Sequence, residues 1–394
     1  MKGGVNLDSG KLWKKFIKHY KVTGFKKGIY QAPGRVNIIG EHTDYNNGFV
    51  LPMAIEKKIT FAAQIRSDNI INVYSQDYDE KFSFSVNNFK FNKDKMWTNY
   101  IMGVVSEFKK MGKNLKGVDI LFSGNIPQGA GLSSSAALEV GTAYLLNDLN
   151  EFNISPKEQA FLSQRAENDF VGVKCGIMDQ FVSRLGRKNH LLLLDCKTNE
   201  YELIPFMSEK YIFMIIDSKV ERGLVDSEYN KRREECKAAV KFFNKKLDKK
   251  VESLRAISFS ELKKFKKEMD KTLYRRVKHV VSENYRVIKS AEALKENNFK
   301  KLGELMNQSH KSLSKDYEVS SKELDLLVKL AKNESEVIGA RMTGAGFGGC
   351  TVNLVEKNAA SKIIENIKTE YKAKTSLKAD FYLTRSETGA KKSC

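Results

Sequence analysis

The sequence lacks any apolar run long enough to cross a lipid bilayer, which takes about 20 residues. Its most apolar stretches, His190–Cys196 and Tyr211–Ile216, have the length of buried strands. Met1–Gly10 also lacks the apolar core of a secretory signal peptide. These absences predict a protein of the cytoplasm that has no membrane partner.

Cysteine is scarce, and its spacing matches no metal-binding motif. The five residues, Cys175, Cys196, Cys236, Cys350 and Cys394, are an odd-numbered set without the close pairs that zinc sites use. Disulfides are also rare in reducing compartments. We therefore predict free thiols, which agrees with a cytoplasmic location.

Acidic residues are outnumbered by basic ones, 48 to 68, which gives a net charge of +20. Such a surplus can indicate a nucleic-acid partner. Here the lysines are spread through predicted helices such as Lys11–Lys21 and Ser260–Lys271, and acidic residues interleave with many of them. We interpret the surplus as a solvated surface and expect no specific nucleic-acid partner.

Repeats and low-complexity linkers are absent as well. A chain of 394 residues, 41% of them hydrophobic, can bury a large core and predicts two domains. We place the boundary near Pro205, with residues 1–205 in the first domain and 206–394 in the second. Strands and helices are mixed without a regular βαβ alternation, which favours the α+β class.

Local signals predict several individual elements. Lys58–Ile65 and Ile70–Ser75 are expected to form a hairpin around Asp68–Asn69. Two capping boxes, at Ser155–Glu158 and Ser320–Glu323, predict the starts of helices.

The most informative stretch is Gly124–Glu139, which links a predicted strand to a predicted helix at Ala136–Leu149. Gly129 and Gly131 allow the backbone to bend sharply, and Ser133 with the serines after it can cap the helix. A glycine loop that opens a helix can bind an anion such as phosphate, because the first turn leaves N–H groups unpaired. The alternative is a tight turn with an ordinary cap.

Two known nucleotide-binding motifs are excluded. No Gly-Lys-Ser/Thr closes this loop, so it is not a Walker A motif. Gly344, Gly346 and Gly349 match the spacing of the dinucleotide fingerprint. That fingerprint opens a helix, whereas Cys350–Val355 is predicted to be a strand.

A second polar stretch, Pro33–Asn47, follows a predicted strand at Lys27–Ala32. Hydrogen-bonding groups of both signs suit a polyol, which offers donors and acceptors on every carbon. The alternative is a surface loop, although neighbouring apolar side chains indicate partial burial. Its chargeable residues are Arg35, Glu41, His42 and Asp44.

Three further candidates have structural alternatives. Asp179 lies among apolar residues at a predicted helix start and could be a satisfied structural carboxylate. Glu167 lies on the helix that Ser155 opens. Trp97 could stack on a nucleotide base, but an aromatic residue of the core is commoner.

Three stretches together resemble one family. Pro33–Ile55 resembles the galactokinase signature, Gly124–Glu139 is similar to the phosphate loop of the GHMP kinases, and Arg341–Cys350 resembles their third motif. Cys175–Gln180 and Ser227–Asn230 resemble further galactokinase segments. Their order and spacing fit the whole chain, so the sequence is identified as a member of the GHMP kinases that resembles the galactokinases.

The resemblance implies a fold and a reaction. The N-terminal domain would resemble domain 2 of ribosomal protein S5, the C-terminal domain would be ferredoxin-like, and the active site would lie in the cleft between them. ATP and Mg²⁺ would be used to phosphorylate the C1 hydroxyl of α-D-galactose. The products would be α-D-galactose 1-phosphate and ADP, in the first committed step of the Leloir pathway. We expect a monomer without an obligate protein partner.

The same resemblance implies roles for individual residues. Asp179 would take the proton of the sugar hydroxyl, and Arg35 would keep Asp179 charged and offset charge on the transferred group. Ser135 and Glu167 would hold Mg²⁺. The nucleotide-binding residues would be Trp97, Gly129, Ala130, Gly131, Leu132, Ser133, Ser134 and Ser135. The sugar-binding residues would be Arg35, Glu41, His42, Thr43, Asp44, Gly176, Asp179 and Tyr229.

Two alternatives within this family stay open. An N-acetylgalactosamine kinase would differ in pocket size, which one sequence does not give, although Thr43 and Asn46–Gly48 look more like the galactokinases. A non-catalytic galactose sensor that binds a transcriptional repressor would have lost a Ser-Ala pair from the phosphate loop. Ser133–Ala137 is complete here.

Overall fold

The structure, a computed structural model, describes residues 9–23, 26–127, 129–220 and 225–393, with only the backbone of Val225 and Asp226. The strands are β1 (Lys27–Asn37), β2 (Phe49–Val50), β3 (Pro52–Ile65), β4 (Ile70–Ser75), β5 (Glu80–Ser85), β6 (Val118–Gly124), β7 (His190–Asp195), β8 (Glu200–Pro205), β9 (Tyr211–Asp217), β10 (Val337–Thr343), β11 (Cys350–Glu356), β12 (Asp380–Thr384) and β13 (Lys391–Lys392). The helices are α1 (Ser9–His19), α2 (Met96–Lys110), α3 (Ser134–Asn150), α4 (Pro156–Arg165), α5 (Met178–Leu185), α6 (Val225–Lys246), α7 (Phe259–Lys264), α8 (Lys271–Lys295), α9 (Phe299–Ser312), α10 (Lys322–Asn333) and α11 (Ala360–Thr375).

The strands form separate sheets in the two halves of the chain. The larger sheet has six strands in the order β13-β1-β3-β6-β4-β5, five of them from the first half of the chain and β13 from its C-terminal end. Among its described strand pairs, only β4 and β6 run parallel. The second half contains an antiparallel sheet in the order β10-β11-β9-β12. A small sheet, β2-β7-β8, lies beside the first. These mixed sheets and helices confirm the α+β class.

Strand β9 shows why its sequence is apolar without interruption. Ile212, Met214 and Ile216 pack on one side, in a core with residues of α10 and α11. Phe213 and Ile215 point to the other side, into the large core that continues into the first half of the chain. Since successive side chains of a strand face opposite ways, a strand buried on both faces has no position for a polar residue.

Helix α3 lies unusually close to the first sheet. Gly141 faces the ring of Phe61 on β3, and a Cβ at this position would overlap that ring. The absence of a side chain therefore sets the distance between helix and sheet. This contact also determines where the N-terminus of α3 lies, and with it the end of the glycine-rich loop.

Two predictions about strands are wrong. The segments Lys58–Ile65 and Ile70–Ser75 do not pair as a hairpin, because β6 lies between β3 and β4. β1 does not end at Ala32 but continues through Pro33–Asn37 along β3, with a register shift between Pro33 and Arg35. Both errors concern pairing, which depends on distant segments.

The two predicted caps have different outcomes. Ser155 caps α4 as predicted, since its side chain accepts from the N–H of Glu158 and proline follows it. The second box is displaced by one residue, because Ser321 rather than Ser320 caps α10 and accepts from the N–H of Leu324.

Two global expectations can be compared with the described residues. No helix among them is both long and apolar enough to span a membrane. No disulfide joins the four described cysteines, Cys175, Cys196, Cys236 and Cys350, which agrees with the prediction, and Cys394 lies outside the described residues. The domain boundary near Pro205 stays a prediction; the last strand, β13, pairs with β1 in the first half.

Candidate active site

Two cavities lie on either side of the glycine-rich loop, Gly129–Ser135. The larger, of about 760 Å³, is lined by Gly129, Ser134 and Ser135 of that loop and by a wall of aromatic residues. The smaller, of about 170 Å³, is lined by Asp179 and by predicted sugar-binding residues. Ser133 connects them, since its neighbours line the larger cavity and its hydroxyl donates to Asp179 in the smaller.

The backbone of the loop has the positive φ angles that favour glycine. At its end, the side chain of Ser133 does not cap helix α3. Gly129, Gly131 and Ser133 have left-handed backbone angles, with φ of +71°, +76° and +59°. The prediction that Ser133 caps α3 is wrong, because its side chain makes no capping hydrogen bond. Its hydroxyl is oriented toward Asp179 instead. The N–H groups of the first turn of α3 therefore lack this cap and can serve an anion in the larger cavity.

Arg35 and Asp179, which both line the smaller cavity, form a bidentate ion pair. Arg35 Nε donates to Asp179 Oδ1 and Nη2 donates to Oδ2, each at 2.7 Å. Arg35 Nη1 donates to the carbonyl of Gly131 at 2.6 Å, and its backbone N–H donates to the carbonyl of Leu132 at 3.1 Å. One arginine on β1 thus positions both the loop and the carboxylate at the start of α5. The bidentate geometry is the one that guanidinium and carboxylate groups favour.

Close backbone packing allows this contact. A Cβ on Gly34 would lie 2.6 Å from the carbonyl oxygen of Leu132. Only glycine lets β1 pass the loop at this distance, so the register shift beside Gly34 and the position of Arg35 have the same cause.

A buried acidic cluster lies beyond the loop. Glu167, on a π-helical turn formed by Ala166–Val171, is hydrogen-bonded by Ser135, by Cys175 Sγ at 3.2 Å and by Gln180 Nε2 at 2.7 Å. Burial raises the pKa of Glu167, and the nearby Asp179 carboxylate adds to the rise. The carboxyl group of Glu139 lies near that of Glu167. Burial raises the pKa of Glu139, and the charge of Glu167 raises it further.

This cluster has the chemistry of a divalent-cation site. The carboxylates of Glu139, Glu167 and the neighbouring Asp179 have one cationic side chain beside them within the part of the chain that the structure describes. This is Arg35, which pairs with Asp179. Glu139 Oε1 is buried without a hydrogen-bond partner among the described residues. In the same residues, no group of three or more His, Cys, Asp or Glu side chains could hold a metal alone. The hydroxyl of Ser135 and the carboxylate of Glu167 therefore fit a hard cation that takes its other ligands from a phosphate substrate.

His42 is a wall of the smaller cavity with both ring nitrogens engaged. Nε2 lies 3.1 Å from the carbonyl of Ala345, and Nδ1 lies 2.8 Å from the hydroxyl of Tyr45. A carbonyl only accepts, so Nε2 carries the hydrogen and Nδ1 accepts from Tyr45. Burial lowers the pKa of His42 to about 3. The ring is therefore neutral and is not placed to take up a substrate proton.

Asp44 faces the smaller cavity and is close to three charged groups. Burial raises the pKa of Asp44 to about 6, against the effect of the Tyr45 N–H; the Asp179 carboxylate raises it further, whereas Arg233 and Arg35 lower it. Asp44 is thus a carboxylate whose charge changes just below neutral pH.

Gly176 and Tyr229 complete this cavity. A Cβ on Gly176 would overlap the carboxylate of Asp44, so a larger residue here would displace that carboxylate. The ring of Tyr229 lies 5.7 Å from that of His42 and 5.4 Å from that of Tyr45, measured between centroids.

Two predicted sugar-binding residues are engaged elsewhere. Glu41 lines the cavity, but its carboxylate pairs with Arg341 and accepts from Thr343 Oγ1 at 3.1 Å and from the N–H of Gly344 at 3.0 Å. Thr43 is fully buried, and its hydroxyl faces the carbonyls of Gly40 and Phe49. The sequence does not distinguish a residue that lines the cavity from one that shapes its wall.

Trp97 was considered either as a core residue or as a residue that stacks on a nucleotide base, and its position is compatible with both. It is a core residue, 7% exposed, and its edge reaches the larger cavity. Its ring lies nearly parallel to that of Tyr78, with 6.0 Å between centroids, and Nε1 donates to Glu80 at 3.1 Å. In the predicted phosphate-binding set, Ala130 and Leu132 are buried and contribute backbone contacts.

Several cavity residues were missed by sequence reasoning. Four residues that also line the larger cavity are Lys57, Lys219, Asp380 and Tyr382. They come from distant segments of ordinary composition, so no local signal marks them. Gln180 could have been noticed, because it follows Asp179 directly in a segment with family resemblance.

Comparison with known proteins identifies relatives across the whole chain. Family models match for the GHMP kinases N terminal domain at residues 99–187, the galactokinase galactose-binding signature at 14–65 and the GHMP kinases C terminal at 290–373. Galactokinase of Clostridium acetobutylicum is 43% identical over 392 residues, covering 98% of this chain and 99% of its own. That of Roseiflexus sp. is 42% identical, covering 97% of both chains.

Solved structures agree with these sequence matches. Lactococcus lactis galactokinase complexed with galactose has a TM-score of 0.90 and 36% identity, and the match covers 96% of this chain and 98% of that one. Methanococcus jannaschii mevalonate kinase has a TM-score of 0.63 at 20% identity, covering 92% and 99%. The second match shows a common fold alone.

The loop geometry generates a test of anion binding with a matched control. Gly129 and Gly112 are both exposed, have φ of +71° and +70°, and would have no atom within 4 Å of a Cβ added to either residue. Each alanine variant should lose about 1–2 kcal/mol of stability from the left-handed backbone. Only Gly129→Ala should weaken ADP binding, by about 1.4 kcal/mol or more, since its methyl group would enter the larger cavity, where we expect the phosphates to bind. Urea unfolding and calorimetry measure both quantities, and equal ADP affinities would reduce the loop to a turn.

Proposed function

The chain belongs to the galactokinase family of the GHMP kinases, and we propose that its cleft transfers the γ-phosphoryl group of ATP to the C1 hydroxyl of α-D-galactose. It is an ATP-dependent sugar kinase. The observation that carries the proposed mechanism is the Arg35–Asp179 pair, which lies in the smaller cavity and is bonded to the loop between the two cavities.

The transfer moves one proton and one phosphoryl group. The C1 oxygen attacks Pγ, a new O–P bond forms, and the bond between Pγ and the bridging oxygen of ADP breaks with its electron pair going to ADP. Asp179 takes the hydroxyl proton. Its Oδ1 receives one donor among the described side chains, Arg35 Nε, so the oxygen keeps acceptor capacity for the sugar. Positioning and charge neutralisation provide most of the catalysis in such a reaction.

Arg35 has two tasks in this mechanism. Its guanidinium holds Asp179 in place and lies beside the loop that receives the phosphates. A fixed positive charge there stabilises negative charge that develops on the transferred group. No reorganisation is needed during the reaction, because β1 and the loop already hold the side chain.

The nucleotide occupies the larger cavity. The base lies at the aromatic end near Trp97 and Tyr78, and the phosphates lie along Gly129–Ser135 at the N-terminus of α3. Ser135 and Glu167 would hold Mg²⁺, which would neutralise negative charge on the phosphates when bound.

The sugar occupies the smaller cavity. Asp44 accepts from sugar hydroxyl groups, Tyr229 and His42 provide the wall, and Glu41 shapes the loop from behind. The same proposal places the enzyme in the cytoplasm as a monomer, with galactose and ATP as its small-molecule partners.

A panel of hexoses tests the substrate. With ATP and Mg²⁺, ADP release should be far faster with galactose than with glucose, mannose or N-acetylgalactosamine. An epimer that leaves a buried carboxylate without its hydroxyl partner loses about 1–3 kcal/mol or more. Coupled ADP-release rates at equal sugar concentration provide the measurement. Equal rates with glucose and galactose would reject galactose as the specific acceptor.

Replacement of Asp179 tests the proton acceptor. Asp179→Asn keeps the shape and one oxygen for Arg35, but it removes the charge that accepts the proton. Turnover per folded molecule should fall by about 100-fold or more, because general-base catalysis typically contributes that much. Galactose affinity should change much less, as calorimetry on the same preparation would report. A folded variant with near-normal turnover would make Asp179 a structural residue.

The raised pKa of Asp44 predicts a pH dependence. The carboxyl group is charged above its pKa of about 6 and neutral below it, so kcat/KM for galactose should fall as the pH decreases through 6. Tyr229 and Cys196 also face Asp44 but stay neutral in this range, because burial raises their pKa values. In Asp44→Asn, kcat/KM should be lower and this inflection should be absent. An unchanged inflection in the variant would assign it to another group.

A further inference from the structure

Gln180 lies between two buried carboxylates, Glu167 and Glu139. It is fully buried on α5, directly after Asp179. Its Nε2 donates to Glu167 Oε2 at 2.7 Å and to Glu139 Oε2 at 3.3 Å. One amide therefore links the candidate cation ligand to a carboxylate on α3 that has no role so far.

The contacts of Gln180 determine how Glu167 is oriented. Two donors, Gln180 Nε2 and Cys175 Sγ, point at the same oxygen, Oε2 of Glu167. The thiol is the weaker donor, and its distance of 3.2 Å is the longer one. Because both hydrogen bonds fix Oε2 of Glu167, the carboxylate can rotate only about that oxygen. Its orientation toward Ser135 and the cation therefore depends mainly on Gln180.

Glu139 in turn orients Gln180. An amide has a donor end and an acceptor end, and only the donor end is compatible with two carboxylates on the same side. Glu139 is fully buried on α3 and offers Oε2 to the second hydrogen of Nε2. The flipped amide would place its carbonyl oxygen against Glu167 Oε2 and lose the hydrogen bond of 2.7 Å, and the contact with Glu139 Oε2 at 3.3 Å favours the same orientation.

We infer that Gln180 is a positioning residue for the divalent-cation site, and that it holds Glu167 in the orientation that ligates the cation while Glu139 holds Gln180. The inference rests on the proposed function, since the cation is the one that accompanies the nucleotide. Asp179 and Gln180 are adjacent on the first turn of α5. The same turn therefore aligns the proton acceptor with the sugar and the carboxylate with the metal.

The test uses Mn²⁺ as the probe on the full chain. Mn²⁺ binding to the ADP complex, followed by electron paramagnetic resonance of the free ion, should be about 10–100-fold weaker in Gln180→Leu, the usual range for residues that orient metal ligands. Galactose affinity by calorimetry should stay near the wild-type value. A folded Gln180→Leu variant with wild-type Mn²⁺ affinity would overturn the inference. If that variant does not fold, Gln180→Met removes the same donor with an unbranched side chain.

Gln159 provides a matched control. It is 1% exposed on α4, and its amide donates to the carbonyl of Ile154 at 2.8 Å and accepts from Arg184 at 2.8 Å, away from the acidic cluster. Gln159→Leu should lower the melting temperature and leave Mn²⁺ affinity unchanged. Equal loss of Mn²⁺ affinity in both variants would show a general effect of a buried glutamine and would contradict a specific role of Gln180.

Glu139→Gln separates positioning from direct ligation. The variant keeps the shape and one oxygen that can accept from Gln180, so Mn²⁺ affinity should remain near that of the wild type. If the charge of Glu139 itself held the cation, this variant would bind Mn²⁺ as weakly as Gln180→Leu, and the inference would be wrong. Galactose-dependent ADP release by the wild-type protein is measured alongside. Its absence would reject the proposed function, whereas the comparison of Mn²⁺ affinities would still decide the role of Gln180.

Discussion

The ion pair between Arg35 and Asp179 is the contact on which the rest of the site depends. Three nitrogen atoms of one guanidinium bond Asp179 and the carbonyl of Gly131, so β1, the glycine-rich loop and α5 meet at a single group. Arg35 is only 7% exposed, and a buried charge that loses its partner costs about 3–5 kcal/mol. The loop and the helix are thus positioned by the same energetic requirement that places the Asp179 carboxylate at the smaller cavity.

A second buried pair connects the two halves of the chain. Arg341 on β10 is fully buried, pairs with Glu41, and donates to the carbonyl of Ile38 at 2.9 Å. Glu283 on α8 accepts from the N–H of Gly40 at 3.0 Å; although burial opposes its charge, Arg286 and other cations lower the pKa of Glu283 to about 2. The segment that lines the smaller cavity is therefore held from behind by the second half of the chain. This explains why a signature near the N-terminus and a glycine motif near the C-terminus belong to one site.

Sequence reasoning succeeded where the physical cause is local. The cap at Ser155 and the left-handed loop around Gly129 follow from residue types within a few positions, and the apolar run of β9 requires burial on both faces. It failed where the cause is distant. β3 and β4 were expected to pair as a hairpin, but β6 lies between them in the sheet. β6 begins more than 40 residues after the end of β4. Ser133 was predicted to cap α3, but its hydroxyl donates to Asp179, which the distant helix α5 places beside it.

The amino-acid sequence by itself indicated the kind of chemistry, phosphoryl transfer to a sugar. The glycine-rich loop, the cluster of carboxylates and the family motifs can each be recognised from residue types a few positions apart. The sequence also placed glycine at Gly129 and Gly131, where the loop backbone has positive φ. Only the tertiary structure decided which of these groups touch the cavities. Folding turned Thr43 inward and engaged Glu41 with Arg341, and it placed Gln180 between two carboxylates. The physical reason is that side-chain partners are chosen by long-range packing, and buried polar groups take whichever partner that packing brings close.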